Sequence, residues 1–223
     1  MRWLVLAAWA LLAALPALAQ APAPPAPPAP PATEEADPSS LLLRGFDLLL
    51  AGQPAAALAL ADQLLARQPD EFLARALRGL SLLHLGRFAE ARDEANVLIR
   101  ADPDEPGAWV LRARARIGLG EPEAAVADAT SALRRQPENL EALLVRGLAR
   151  LAAGDAGSAV ADFTAVLGRE PAHAEAVDGL VRALLALGRP QDALRTVEAA
   201  LAVEPDSQAL AALRQQLLSR PAP

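Results

Sequence analysis

The sequence predicts an all-α protein, a solenoid of about five helix-turn-helix units, each of about 34 residues, followed by a closing helix. Three observations carry that prediction. Prolines recur at Pro69, Pro103, Pro137, Pro171 and Pro205. Glycines recur at Gly52, Gly86, Gly120, Gly154 and Gly188, and alanines at Ala57, Ala91, Ala125, Ala159 and Ala193, all with the same step of 34. Three residue types sharing one period mark a repeat array. Between these points lie mainly Ala, Leu, Arg and Glu, which favour helix. Proline lacks an N–H and clashes with the preceding turn, so each recurring proline ends a helix.

The chain divides accordingly into residues 1–19, 20–37, five repeats (38–71, 72–105, 106–139, 140–173 and 174–207), a closing helix at 208–219 and a tail at 220–223. The first segment, MRWLVLAAWALLAALPALA, places one arginine before an apolar run that ends in Ala17-Leu18-Ala19. That order is expected of a secretory signal cut after Ala19. An uncleaved membrane anchor is the alternative. The apolar run from Trp3 to Leu18 falls short of the ~20 residues that span a bilayer, and Pro16 suits a cleavage region. No cysteine stands there to carry a lipid. The expected location is periplasmic or secreted, with no stable membrane span after cleavage. Residues 20–37 are dense in proline and alanine, a composition expected to form an extended spacer. The alternative for this segment is a docking motif for a proline-binding domain.

Each repeat can be read from its own residues. In 106–139, Glu105 precedes the first helix, where acidic groups are favoured. Pro106 sits in the first turn, where a missing N–H is tolerated. The helix is expected to run to about Leu119, and Gly120 to end it in the left-handed cap conformation. Pro122 starts a second helix that runs to about Arg135, and Pro137 closes the unit. Pro54 and Pro190 restart their second helices in the same way, with Phe88 and Ala156 in that place elsewhere. Ala125 and Ala129 lie four apart on one helix face. Gly45, Gly79, Ala113 and Gly147 keep a small residue in the first helix, so that helices can approach closely. One hairpin cannot bury its apolar face alone; stacking the next completes the core.

Composition excludes several functions. The formal charge is −6, and all 21 basic residues are arginine. A net acidic chain lacks the basic footprint of a nucleic-acid binder. The absence of cysteine rules out disulfides, thiolate metal sites and a cysteine nucleophile.

These features resemble the tetratricopeptide repeat family over about residues 38–207. The repeat step, the small residue and glycine of the first helix and turn, the alanine of the second helix and the closing proline all match. RGLARLAAGDAGSAVADFTAVLGREP (146–171) is similar to the family pattern. Trp109 and Phe163 hold its aromatic places; Leu48, Leu82, Arg116 and Arg150 replace aromatics elsewhere, and Val181 stands where a small residue is usual. Pentatricopeptide repeats, which have a step one residue longer and read RNA, are set aside by the step, the acidic charge and the predicted export. The resemblance implies a right-handed superhelix whose concave face, lined mainly by first helices, binds an extended peptide or a helix. The lysine, asparagine and arginine clamp that some members use is absent, since its places hold residues such as Leu42, Phe46, Leu77, Gly107 and Leu111.

No catalytic constellation, phosphate loop or HExxH occurs, and neither enzymatic activity nor a cofactor or metal is expected. His173 is expected as an exposed polar residue in a turn, and His84 as a core or rim residue rather than a ligand. Arg44, Arg78, Arg112 and Arg146 keep the period. They are expected as a structural ladder to second-helix acids such as Glu94, Asp128 and Asp162, with an anion-binding ladder as the alternative. The expected partner groove is graded. Leu42, Phe46, Leu49, Leu73, Leu80 and Leu83 should form an exposed apolar stripe. Arg114, Glu141, Glu175, Asp178 and Arg182 should form its polar end. The expected function is a non-catalytic adaptor of the bacterial cell envelope for a protein partner, with a self-associating structural protein that uses the same groove as the alternative and an enzyme accessory subunit as the third reading. The signal reading predicts a mature chain that begins at Gln20. N-terminal sequencing of the envelope fraction checks this, and recovery of an intact Met1 in the membrane would favour the anchor.

Overall fold

The computed structural model describes residues 37–219, all helix and turn. The expected signal, nearly all of the Pro/Ala segment and the last four residues lie outside the described residues. Five helix pairs follow one another along the chain: α1 (Pro38–Leu50) and α2 (Pro54–Arg67), α3 (Phe72–His84) and α4 (Phe88–Ala101), α5 (Pro106–Gly118) and α6 (Pro122–Arg135), α7 (Leu140–Ala152) and α8 (Ala156–Leu167), α9 (Ala174–Ala186) and α10 (Pro190–Val203). A last helix, α11 (Gln208–Leu218), closes the series. The chain forms two compact units that divide after Leu119, so α1–α5 and α6–α11 are described separately.

The recurring residues set the turns. Gly52 follows the last turn of α1 with φ 69°, and the other four period glycines also have positive φ. Only glycine takes that conformation without a Cβ penalty. It lets the Gly52 N–H reach the Leu49 carbonyl at 3.0 Å and the Gln53 N–H reach that of Leu48 at 2.8 Å, which satisfies carbonyls the helix leaves free. The prolines act one residue earlier than they stand. Gln68, before Pro69, is forced out of the helical region to φ −134°, ψ 83°, and ends α2. In the fourth hairpin Gly168 takes over, and α8 stops at Leu167.

Caps complete the first helices. Glu71 accepts from the Leu73 and Ala74 N–H groups at 2.6 and 3.1 Å. Glu105 accepts from Gly107 at 3.1 Å and Asn139 from Ala142 at 2.8 Å. His173 departs from its expectation: it is half-buried, and its Nδ1 accepts from the Ala176 N–H at 3.3 Å. It is the N-cap of α9 rather than an exposed turn residue, because it occupies the place that Asn139 holds one repeat earlier and Glu71 three repeats earlier.

Packing depends on the small residues. A Cβ on Gly79 would lie 2.7 Å from Leu111 Cδ2, and one on Gly45 would collide with the Leu77 side chain. Each of these first helices thus receives a leucine from the next first helix. The fourth repeat solves the same problem differently. The place of Leu77 and Leu111 is Gly179, and the place of Ala61 and Ala95 is Phe163. The fully buried Phe163 ring fills the gap, lying where a Cβ on Gly147 or Gly179 would come within 2.8 or 2.5 Å. Large and small have exchanged places across one contact.

Exchanging them back tests this packing. Phe163→Ala should destabilise by about 3–5 kcal/mol and Gly179→Leu by about 1–3 kcal/mol. The double variant recreates the Ala95 and Leu111 arrangement and should recover about 1–3 kcal/mol of the sum. Additive losses in denaturant melts would show that the two residues do not share a cavity.

Candidate functional site

The arginines that keep the period are bound into the framework. Arg146 grips the buried Asp162 with two nitrogens, Nη2 at 2.6 Å and Nε at 3.0 Å, and Arg150 adds a third contact at 2.7 Å. Arg78 pairs with the buried Glu94 of α4, which Arg75 also meets at 3.3 Å, and reaches back to Asp62 of α2 at 2.7 Å. Arg112 bonds Asn96 of α4 at 2.8 Å and lies 4.9 Å from the centre of the Trp109 ring. Arg78, Arg112 and Arg146 each tie a first helix to a second helix at the same sequence separation, forward or back. The ladder is therefore structural in these rungs. Removing one partner of such a buried pair leaves an uncompensated charge. Arg44 forms no forward rung, since Leu60 stands at the place that Glu94 and Asp162 hold in their repeats.

The apolar half of the expected groove is corrected. Leu42, Phe46, Leu49, Leu73, Leu80 and Leu83 are all buried; Phe46 is 8% exposed and Leu80 0%. The reason lies in the neighbours of α3. This helix touches α2 and α4, and also α1 and α5. Nine of its thirteen residues are buried. A helix enclosed on several sides is apolar nearly all round, so its leucines are interior rather than surplus. Leu80→Asp should therefore unfold the protein rather than merely alter a surface.

The same register opens further along. Phe46 and Leu80 recur as Arg114, Leu148 and Arg182. Leu49 and Leu83 recur as Ile117, Leu151 and Leu185. In α5, Arg114 and Ile117 are half-buried. In the second unit α7 and α9 touch each other. They present half-buried Leu148, Leu151 and Leu185 beside Glu141 and Glu175, with Asp178 and Arg182 exposed and 3.6 Å apart. Arg114 and Arg182 thus lie in separate units. The sequence pattern does not single out these three leucines, because the charged residues of the later repeats are the ones that break the apolar stripe. Stepping two repeats from Leu80, and two or three from Leu83, would have reached them.

His84 closes α3 with its Nε2 buried and no hydrogen-bond partner among the described residues. Burial lowers its imidazole to about 4, and the Arg114 guanidinium pushes the same way. No group of three or more His, Asp or Glu among the described residues is placed to hold a metal ion.

Comparison with known proteins accords with this architecture. Two sequence profiles, both described as tetratricopeptide repeat, match residues 150–217 and residues 42–106 and 110–174. The chain belongs to the tetratricopeptide repeat family. Among solved structures it is similar to a thermophilic TPR protein of Thermus thermophilus, at 25% identity and TM-score 0.73 over 82% of this chain and 99% of that one. It is also similar to a tetratricopeptide repeat protein from Parabacteroides merdae, at 22% identity and TM-score 0.61 over 81% and 72%. A third similar structure is YrrB, described as a TPR protein with an unusual peptide-binding site, at 20% identity and TM-score 0.58 over 80% and 92%. A comparison with curated proteins finds no match.

Two outcomes are expected. Leu80→Asp buries an unpaired carboxylate and should cost about 3–5 kcal/mol, visible as loss of helix or a steep fall in Tm. His84 should make the fold acid-sensitive. Its folded value of about 4 lies below the ordinary 6.5, so the unfolded chain takes up the proton first. Stability is then undiminished above 6.5 and falls progressively as pH drops towards 4. The ring is partly solvated, which limits the loss to roughly 1–2 kcal/mol. His84→Phe should flatten Tm against pH across that window, and an unchanged slope would rule the assignment out.

Proposed function

We propose that this tetratricopeptide repeat protein is a non-catalytic adaptor of the bacterial cell envelope, which takes a peptide or helix of a protein partner on the open faces of its later first helices. One observation carries the reading. Positions that are buried in α1 and α3 become half-buried leucines in α7 and a half-buried leucine beside an exposed charged pair in α9. Apolar anchors rimmed by charge are what a protein interface uses. The Glu141, Glu175 and Asp178 carboxylates and the Arg182 guanidinium would fix the partner's register, while Leu148, Leu151 and Leu185 would bury its apolar side chains. The envelope location rests on the basic, apolar and small-residue order of residues 1–19. No helix of the described residues is long and apolar enough to cross a membrane.

Photo-crosslinkers placed singly at Leu148 and Arg182, and at Arg195 on α10 as a control, test the surface in intact cells. Adducts should form from the first two positions and not from the third. Leu185→Asn should weaken binding of the crosslinked partner about tenfold, the loss expected for one leucine contact. Adducts from Arg195 alone would place the interface on the second helices. An adduct with a second copy of the chain would make the protein a self-associating structural component.

A further inference from the structure

The first helix of the array differs from the four that follow it along one stripe. Ser40, Leu43, Asp47 and Leu50 lie at spacings of three, four and three on α1, so they share a face, and all four are exposed. Leu43 is 50% exposed and Leu50 54%. One repeat on, the same stripe is Ala74, Leu77, Ser81 and His84, of which the first three are buried. It faces the preceding hairpin, because Leu77 is the side chain seated on Gly45 of α1. In α5, Leu111 sits on Gly79 of α3 in the same manner. The stripe on α1 is therefore the stacking surface of an inner repeat, with nothing stacked on it among the described residues.

Its residues are changed where stacking is tightest. The place of Ser40 is alanine in every later repeat, at Ala74, Ala108, Ala142 and Ala176, and each is buried. The place of Asp47 is Ser81, Ala115, Ala149 and Ala183, again all buried. Neither Asp47 nor Arg44 forms an ion pair among the described residues. A helix laid on this face would have to strip water from the Asp47 carboxylate, which is unfavourable. Repeat arrays need terminal units with polar outer faces to remain soluble.

We propose that Ser40 and Asp47 make the outer face of α1 a stop, which prevents a second copy of this chain from stacking where every inner repeat accepts a neighbour. Leu43 and Leu50 are what is left of the repeat pattern. Alone they form too small a patch for a stable contact, since specific interfaces bury about 800 Å² on each partner. This inference stands apart from the partner reading, because it concerns the end of the array rather than the faces of α7 and α9.

Sedimentation equilibrium of the chain as isolated from its own cells, from micromolar to submillimolar concentration, tests it. The parent should remain monomeric. The double variant Ser40→Ala/Asp47→Ala should keep its helix content, since alanine favours helix, and self-associate at least about tenfold more tightly. Adding Leu43→Glu should return it to the monomer. Asp47→Asn, which keeps shape and removes charge, should give an intermediate shift. The inference is overturned if the double variant stays as monomeric as the parent or loses helix. It is equally overturned if the parent already associates and Leu43→Glu abolishes that association, for α1 would then be a docking face.

Discussion

An inner first helix has to be packed on several sides at once, and the structure follows from that requirement. α3 is enclosed by α1, α2, α4 and α5. Such enclosure is possible only where side chains are small enough for neighbours to enter, as at Gly45 and Gly79. The glycine turns and the prolines serve the same end. They set where each helix starts and stops, so that Leu77 arrives over Gly45 and Leu111 over Gly79. Where the pattern changes, the volume is conserved: Phe163 replaces an alanine and Gly179 replaces a leucine, as close packing demands.

Enclosure also decides what the charged residues do. An arginine that recurs once in each repeat could suggest a row of anion sites. In the structure Arg78 and Arg146 are occupied by Glu94, Asp62 and Asp162. Acids that lie inside the packing must be matched, and the matching arginines hold first helices to second helices. The charges left to the surface are those outside this ladder, among them the Asp178 and Arg182 pair.

The array and its turns were legible in the sequence because they depend on local chemistry. The turn at Gly52 needs a positive φ, and the break at Pro69 needs an imino nitrogen. Each residue declares its role wherever the helix register is known, and the period supplies that register. His173 was harder to read, since a histidine caps less commonly, yet its place in the period already marked it as equivalent to Asn139.

The division between interior and surface was not legible in the same way. Leu42, Leu80 and Leu83 sit on helical spacings that suit either an exposed groove or a buried core, and spacing alone does not separate the two. Burial depends on how many helices surround a residue, which is a property of stacking rather than of the helix. For the same reason nothing in the sequence separates Leu148 and Leu185 from their counterparts in α3, although they are more open. The sequence by itself determined the helical repeat, its glycine turns and its family, because the turns rest on contacts within about one turn of chain and the period repeats them. Only the tertiary structure decided which leucines are fully enclosed and which stay half-exposed, because that depends on helices brought together from neighbouring repeats.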